Sequence, residues 1–285
     1  MHPEEFIKYH GLGNDFVIFL GGMANCDSFS TEQASAICAR GHGMGADGVA
    51  LARPSDTADV RMELINSDGS IPEMCGNGLR CFVKYAVDEL QMKQNPMAVE
   101  TNGGVRLCHW NTDHTGNVSS VRVDMGEAFW ERSQVPMTGQ GSSLGVTVEA
   151  DGRSFLANGL NTGNPHMVIF GDADRDLAAQ YGSLLTHHPM WPLGANVEFA
   201  KVHSSTHIQV SVWERGCGLT EACGTGATAT VCAAVKLGKC AFNTPITVEL
   251  PGGELTITVE DDFTRAWMEG PAVEVYRGRL APVMH

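Results

Sequence analysis

Two short stretches hold the residues best suited to chemistry in this chain. One is Met74-Cys75-Gly76-Asn77-Gly78, and the other is Ala222-Cys223-Gly224-Thr225-Gly226. Each sets a cysteine before a glycine pair, and each leads into a helix-like run, residues 79–90 and 227–237. A thiol at a helix N-terminus meets outward-pointing backbone N–H groups and the positive end of the helix dipole. That setting favours thiolate and lowers a thiol pKa. The same N–H groups can hold a carboxylate. Neither stretch has a second cysteine or histidine at zinc-ligand spacing, so no metal is expected. Neither is followed by Gly-Lys-Ser/Thr, so neither is a phosphate loop. Two matched acid–base groups suit stereoinversion at one carbon. One thiolate removes the Cα proton, and the other thiol delivers a proton to the opposite face. The developing carbanion is stabilised where its carboxylate meets the two N–H arrays. This chemistry calls for no cofactor.

The chain that must position these thiols has 285 residues, 43% hydrophobic and 18% charged, with a net charge of −14. It reads as a soluble globular protein of one large domain or two ordinary ones. The acidic balance excludes a nucleic-acid binder and offers no basic patch to an anionic membrane. No apolar run reaches the roughly 20 residues of a membrane span. The opening residues lack the basic start of a signal peptide, so the expectation is a cytoplasmic protein. In a reducing compartment the nine cysteines do not form a disulfide framework. Cys26, Cys38, Cys108, Cys232 and Cys240 are read as buried apolar residues, and Cys81 and Cys217 as packing residues too.

Short strands dominate the pattern, with about four helices, which gives an α+β class. Residues 6–20 read as strand, glycine turn, strand. Ser30-Thr31-Glu32-Gln33 is a capping box, and 41–48 is a glycine-rich loop. Strands are expected at 60–65, 99–101, 105–110, 118–125, 146–150, 154–157, 196–202 and 208–213. Near the end come 246–250, 255–259, 264–268 and 273–277. A further helix is expected at 172–186. The chain also repeats itself. Gly13-Asn14-Asp15-Phe16-Val17-Ile18-Phe19 resembles Gly163-Asn164-Pro165-His166-Met167-Val168-Ile169-Phe170. Asn14 precedes its cysteine by 61 positions and Asn164 precedes its own by 59. Each cysteine helix is followed by a hairpin. One domain has been used twice, and the expectation is that the copies bring both thiols to one cleft.

Over nearly its whole length the sequence resembles the diaminopimelate epimerase family. The resemblance is carried by Lys8-Tyr9-His10-Gly11-Leu12-Gly13-Asn14-Asp15-Phe16, Asn66-Ser67-Asp68-Gly69-Ser70, Cys75-Gly76-Asn77-Gly78-Leu79-Arg80-Cys81, Gly163-Asn164-Pro165-His166, Asn196-Val197, Glu214-Arg215-Gly216 and Ala222-Cys223-Gly224-Thr225-Gly226. It implies an α/β fold of two pseudo-symmetric domains, each a β-barrel-like mixed sheet around a central helix. The first domain would hold residues 1–127 with 275–285, and the second 128–274. It implies interconversion of LL- and meso-2,6-diaminopimelate in lysine and cell-wall synthesis, without pyridoxal phosphate, in a homodimer. By this resemblance Cys75 and Cys223 are the two bases. Gly76, Asn77, Gly224 and Thr225 hold the reacting carboxylate. Asn14, Asn66, Asn164, Asn196, Glu214 and Arg215 bind the amino groups and the distal carboxylate, a task that suits a guanidinium. His166 and Glu214 tune the thiols, while His10, Asp15 and Asp68 orient loops.

Two positions depart from the family pattern. Gly48 stands where several members carry glutamine, and Leu219 where many carry an acidic residue. The nearest rival is the proline racemase and hydroxyproline epimerase family, which typically places histidine after the first Cys-Gly, where this chain has Asn77. A dehydratase relative would lack one thiol, and the phenazine-type isomerases carry an acidic residue in place of the first cysteine. A non-catalytic dithiol or redox protein would leave the four asparagines, Glu214 and Arg215 without a purpose.

Overall fold

The computed structural model describes residues 4–21 and 27–280, so Cys26 lies outside the described residues. The chain divides into two compact units. Unit 1 holds the residues through Val123 and those from Gly270 on, and unit 2 holds Asp124–Glu269. Unit 1 begins with β1 (Glu5–Gly11), β2 (Asn14–Phe19), α1 (Thr31–Cys38), β3 (Gly48–Arg53), β4 (Val60–Asn66), α2 (Gly76–Asp88), β5 (Met97–Thr101), β6 (Gly104–Thr112) and β7 (Val118–Gly126). Unit 2 follows with β8 (Val146–Ala150), β9 (Arg153–Asn161), β10 (Pro165–Phe170), α3 (Arg175–Thr186), β11 (Asn196–Ser204), β12 (His207–Glu214), β13 (Gly218–Leu219), α4 (Gly224–Lys236), β14 (Ile246–Leu250), β15 (Gly253–Val259) and β16 (Ala266–Pro271). The last strand, β17 (Val273–Arg279), returns to unit 1.

The repeat in the sequence is a repeat of topology. In unit 1 the strands pair in the order β17-β1-β2-β3-β4-β5-β6-β7. The pairings are antiparallel except β2–β3 and β4–β5, which are parallel. In unit 2 the order is β8-β9-β10-β11-β12-β14-β15-β16, and the parallel pairs again fall third and fifth, at β10–β11 and β12–β14. Each parallel pair is bridged by a helix, as a crossover requires. These are α1 and α2 in one unit and α3 and α4 in the other. The mixed α/β class expected from the sequence is the class found.

The second helix of each unit is its core. Twelve of the thirteen residues of α2 are buried, and eleven of the thirteen of α4. Strands reach α2 from β1, β2, β3 and β6, and α4 from β9, β10, β11, β12, β14 and β15. A helix sealed this way needs side chains that let strands approach. In α4 they are almost all Gly, Ala, Thr and Val. In α2 Leu79, Phe82 and Tyr85 fill the space, each worth about 1.5–3 kcal/mol on burial. The buried Lys84 is neutralised by Asp88 at 2.8 Å and donates to the carbonyl of Val118 at 2.7 Å. The other helices cover a second core. Phe19, Phe29, Val49 and Leu51 lie by α1, and Tyr181, Leu185, Trp191 and Phe199 by α3.

Three details differ from the sequence expectation. Both core helices begin three residues early, at Gly76 and Gly224, because glycine in a first turn gives up no intrahelical N–H bond while the preceding cysteine caps the end. The apolar run after the 41–48 loop is a full strand, β3, hidden in the sequence by its short, non-alternating pattern. Cys217 is exposed rather than packed, because it lies in the turn between β12 and β13, whereas Cys38, Cys81, Cys108, Cys232 and Cys240 are buried. The Ser30–Gln33 capping box is formed in both directions.

Gly182 of α3 lies directly over Trp213. A Cβ there would come within 2.4 Å of the tryptophan Cβ. Gly182→Ala is therefore expected to lower stability by about 1–3 kcal/mol through overpacking, read as a lower urea midpoint at unchanged slope. An unchanged midpoint would show that α3 lifts from the sheet without cost.

Candidate active site

In unit 1 the first cysteine is the N-cap of α2. Its backbone is extended (φ −133°, ψ 108°), and its Sγ accepts a hydrogen bond from the N–H of Gly78 at 3.4 Å. The amides of Gly76 and Asn77 lie in this same first turn, whose N–H groups point outward along the axis. A line of directed hydrogen bonds fixes the groups around the thiol. The wholly buried Arg80 donates to Asn77 Oδ1 at 2.9 Å and to the carbonyl of Pro271 at 3.1 Å. Asn77 Nδ2 then donates to Asn14 Oδ1 at 3.2 Å, and Asn14 Nδ2 to Asp47 Oδ2 at 2.6 Å. Asn14 Oδ1 also lies 4.0 Å from Cys75 Sγ. Because a guanidinium only donates, Arg80 settles which way both amides point. Asp15, next in sequence to Asn14, is held by Lys8 at 2.7 Å and Arg40 at 2.9 Å. Burial alone would raise its carboxyl, but the bonds from Lys8 and Arg40 outweigh that and hold it below the usual range. Asn66 donates to Ser70 Oγ at 3.0 Å, and Asp68 accepts from Ser70 in the same turn. His10 accepts from the N–H of Gly13.

In unit 2 the second cysteine repeats the geometry. Cys223 is the N-cap of α4 (φ −122°, ψ 111°), and its Sγ accepts from the N–H of Gly226 at 3.3 Å. Gly224 and Thr225 occupy the first turn, with Thr225 Oγ1 3.4 Å from the sulfur. The surroundings are different. Glu214 accepts from Thr220 Oγ1 at 2.6 Å and lies in hydrogen-bonding reach of Cys223. Burial first, with Glu198 nearby, raises the Glu214 carboxyl, while Thr220, Cys223 and His166 pull it back. His166 is wholly buried, with Nδ1 2.7 Å from Glu198 Oε1 and Nε2 2.8 Å from Asn164 Oδ1. Asn196 Oδ1 accepts from the backbone N–H of Arg215 at 2.8 Å. The Arg215 guanidinium donates to the Leu193 carbonyl at 2.8 Å.

Strand register matches the two units position by position. Phe16 pairs with Gly48 and His166 with Asn196. Gly48 pairs with Asn66, and Asn196 stands opposite Glu214, one step beyond the Val197–Trp213 pair. Asn14 thus corresponds to Asn164, Phe16 to His166, Gly48 to Asn196, Ala50 to Glu198, and Asn66 to Glu214. The fold brings together Asn14, Cys75 and Asn77 in unit 1, and Asn164, His166, Glu214, Cys223 and Thr225 in unit 2. Glu198 was not anticipated from sequence. A glutamate inside the apolar run Val197–Ala200 was its only signal. The departures have local causes. A side chain at Gly48 would press on the Ile65 carbonyl at 3.1 Å and the Phe16 ring at 3.2 Å. Leu219 packs with the α3 core opposite Trp213, where an acidic side chain would be out of place.

The solved structures define the fold. The chain is similar to a hydroxyproline epimerase from Agrobacterium vitis (TM-score 0.73, 14% identity, 97% of this chain and 90% of that one). It is equally similar to a phenazine biosynthesis protein from Bacillus anthracis (TM-score 0.73, 14% identity, 99% and 100%). At such identities the likeness is one of architecture. Sequence goes further. The family model described as diaminopimelate epimerase matches residues 6–131 and 159–275. The chain is 44% identical over 282 residues to the diaminopimelate epimerase of Desulfitobacterium hafniense, covering 97% of this chain and 98% of that protein. It is 45% identical over 278 residues to that of Desulforudis audaxviator, covering 96% and 98%. The chain belongs to the diaminopimelate epimerase family.

One expectation is reversed by the site. The helix end was to lower the thiol pKa, yet burial first, then the charges of Glu214 and Glu198, push Cys223 well above an ordinary cysteine, against the pull of Thr225 and the Gly226 amide. A raised pKa favours the neutral thiol of Cys223 over its thiolate. Its reaction with iodoacetamide is expected to trail that of the exposed Cys217, and to climb about tenfold per pH unit through the alkaline range. Site-resolved mass spectrometry checks both. A Cys223 rate already level near neutral pH would show an ionised thiol.

Proposed function

We propose that this chain interconverts LL- and meso-2,6-diaminopimelate by a two-base mechanism without pyridoxal phosphate or metal. The observation that carries the reading is the repeated cap. In both units a thiol sits on the first turn of a buried helix, its sulfur 3.4 or 3.3 Å from the third helical amide. One sulfur, as thiolate, takes the Cα proton. The electron pair left behind spreads into the adjoining carboxylate, which the amides of Gly76, Asn77, Gly224 and Thr225 stabilise. The other sulfur then gives its proton to the opposite face. One proton leaves and one arrives, so turnover ends with thiolate and thiol exchanged. Asn14, Asn66, Asn164, Asn196, Glu214 and Arg215 recognise the amino groups and the distal carboxylate, and His166 and Glu214 adjust the thiols.

The family supports a place in lysine and cell-wall precursor synthesis and a cytoplasmic location. A homodimer is supported by the apolar residues left exposed on β17, where Val273, Val275 and Tyr276 remain between 41% and 50% accessible. The test is incubation with LL-diaminopimelate in deuterium oxide, without added cofactor. Deuterium at Cα and an approach to the LL/meso equilibrium are expected, with Cys75→Ala and Cys223→Ala each slowed roughly 10²–10⁴-fold. Exchange into proline or hydroxyproline but not diaminopimelate would overturn the substrate. Undiminished exchange in the double cysteine variant would overturn the mechanism.

A further inference from the structure

Glu198 has no part in the two-thiol scheme, yet it is wholly buried at the foot of the second thiol's helix. Its Oε1 is 2.7 Å from His166 Nδ1, while its Oε2 has no hydrogen-bond partner among the described residues. A buried carboxylate with half its acceptors unmet is expensive, and a simple packing role would be better filled by an apolar residue. The chain makes room for it nonetheless. A Cβ on Gly226 would fall 2.8 Å from Glu198 Oε1, so glycine at this point of α4 is what admits the carboxylate to the first turn. Unit 1 supplies the comparison. There Ala50 takes the place of Glu198 and Phe16 that of His166, and Gly78 rests against the Phe16 ring, 3.3 Å from where its Cβ would be. The same fold is built without the anion.

Resting on the two-thiol reading, we propose that Glu198 is a positioning residue of the second half-site. Its carboxyl group holds His166 by Nδ1 and biases the free enzyme toward the form in which Cys223 carries the proton of the pair. The groups facing Cys223 fit this role. Glu198 faces it from β11 and Glu214 from the end of β12, while His166 on β10 lies against Glu198 and lowers Glu214. Elsewhere around α4, Arg153 and Glu254 are exposed and Glu249 pairs with His207. Glu221, two residues before the thiol, is exposed and paired with Arg175 at 2.6 Å. The Arg215 guanidinium is engaged by the Leu193 carbonyl.

The experiment is the pH profile of kcat/KM for the intact enzyme with diaminopimelate. Its basic limb reports loss of the last thiol proton. Glu198→Gln keeps the shape and removes the charge, so this limb is expected to move to lower pH by roughly one unit. Glu198→Asp keeps the charge, so the limb is expected to hold even where kcat falls. A limb unmoved in Glu198→Gln, or moved equally in both variants, overturns the proposal, since a merely structural glutamate would do one or the other. Should either variant fail to fold, ¹⁵N-histidine NMR of the wild-type protein decides. His166 is expected to carry a proton on Nδ1, the nitrogen that faces Glu198, and an unprotonated Nδ1 overturns the proposal. Absence of wild-type activity on diaminopimelate would instead count against the reaction assigned above, while the NMR result would still decide the Glu198 contact.

Discussion

Both halves of this protein depend on a helix whose sides are sealed by strands and whose first turn is left for chemistry. Sealing the sides is a packing demand, met by small residues in α4 and by aromatic and aliphatic ones in α2. It has a chemical result. The first-turn amides and the capping sulfur are held by the whole core rather than by a loop, so their geometry is nearly the same in two units that share little sequence. Rigid support of this kind is what proton transfer at a fixed carbon needs. Burial also sets the electrostatics. Cys81 and Cys232, one turn or more into the helices, are pushed up to about 12 and stay inert thiols.

Much of this was legible in the chain. The paired Cys-Gly-x-Gly stretches, the Asn14 and Asn164 turns and the strand pattern gave the α/β class, the duplication and most of the residues that gather at each thiol. What stayed hidden has physical reasons. Glycines at 76, 78, 224 and 226 carry no helix signal of their own, so the sequence pattern starts the helices three residues late, although the first turn is where glycine costs least. Glu198 looked like one more polar residue on a strand, because burial and partners belong to the fold and not to the string. The Cys223 shift runs opposite to the helix-end expectation for the same reason. The helix end is visible in sequence, whereas the two carboxylates that oppose it come from β11 and β12.

The duplication is more informative where it fails. Matching positions carry Phe16 against His166, Ala50 against Glu198, Asn66 against Glu214 and Gly48 against Asn196. Arg80 in α2 is answered by Thr228 in α4. One copy surrounds its thiol with neutral amides above a buried cation, and the other with carboxylates and an imidazole. The backbone is symmetric and the charge is not.

The strand order has a consequence for how the molecule is made. Unit 2 is one unbroken stretch of chain, and every strand it pairs is available once that stretch has been synthesised. Unit 1 is not. Its first strand, β1, is flanked by β2 on one side and by β17 on the other, and β17 lies beyond the whole of unit 2. While the ribosome is at work, the nascent first unit carries an open strand edge, the feature through which sheets join to other chains. The second unit can therefore be complete while the first still waits for its final strand.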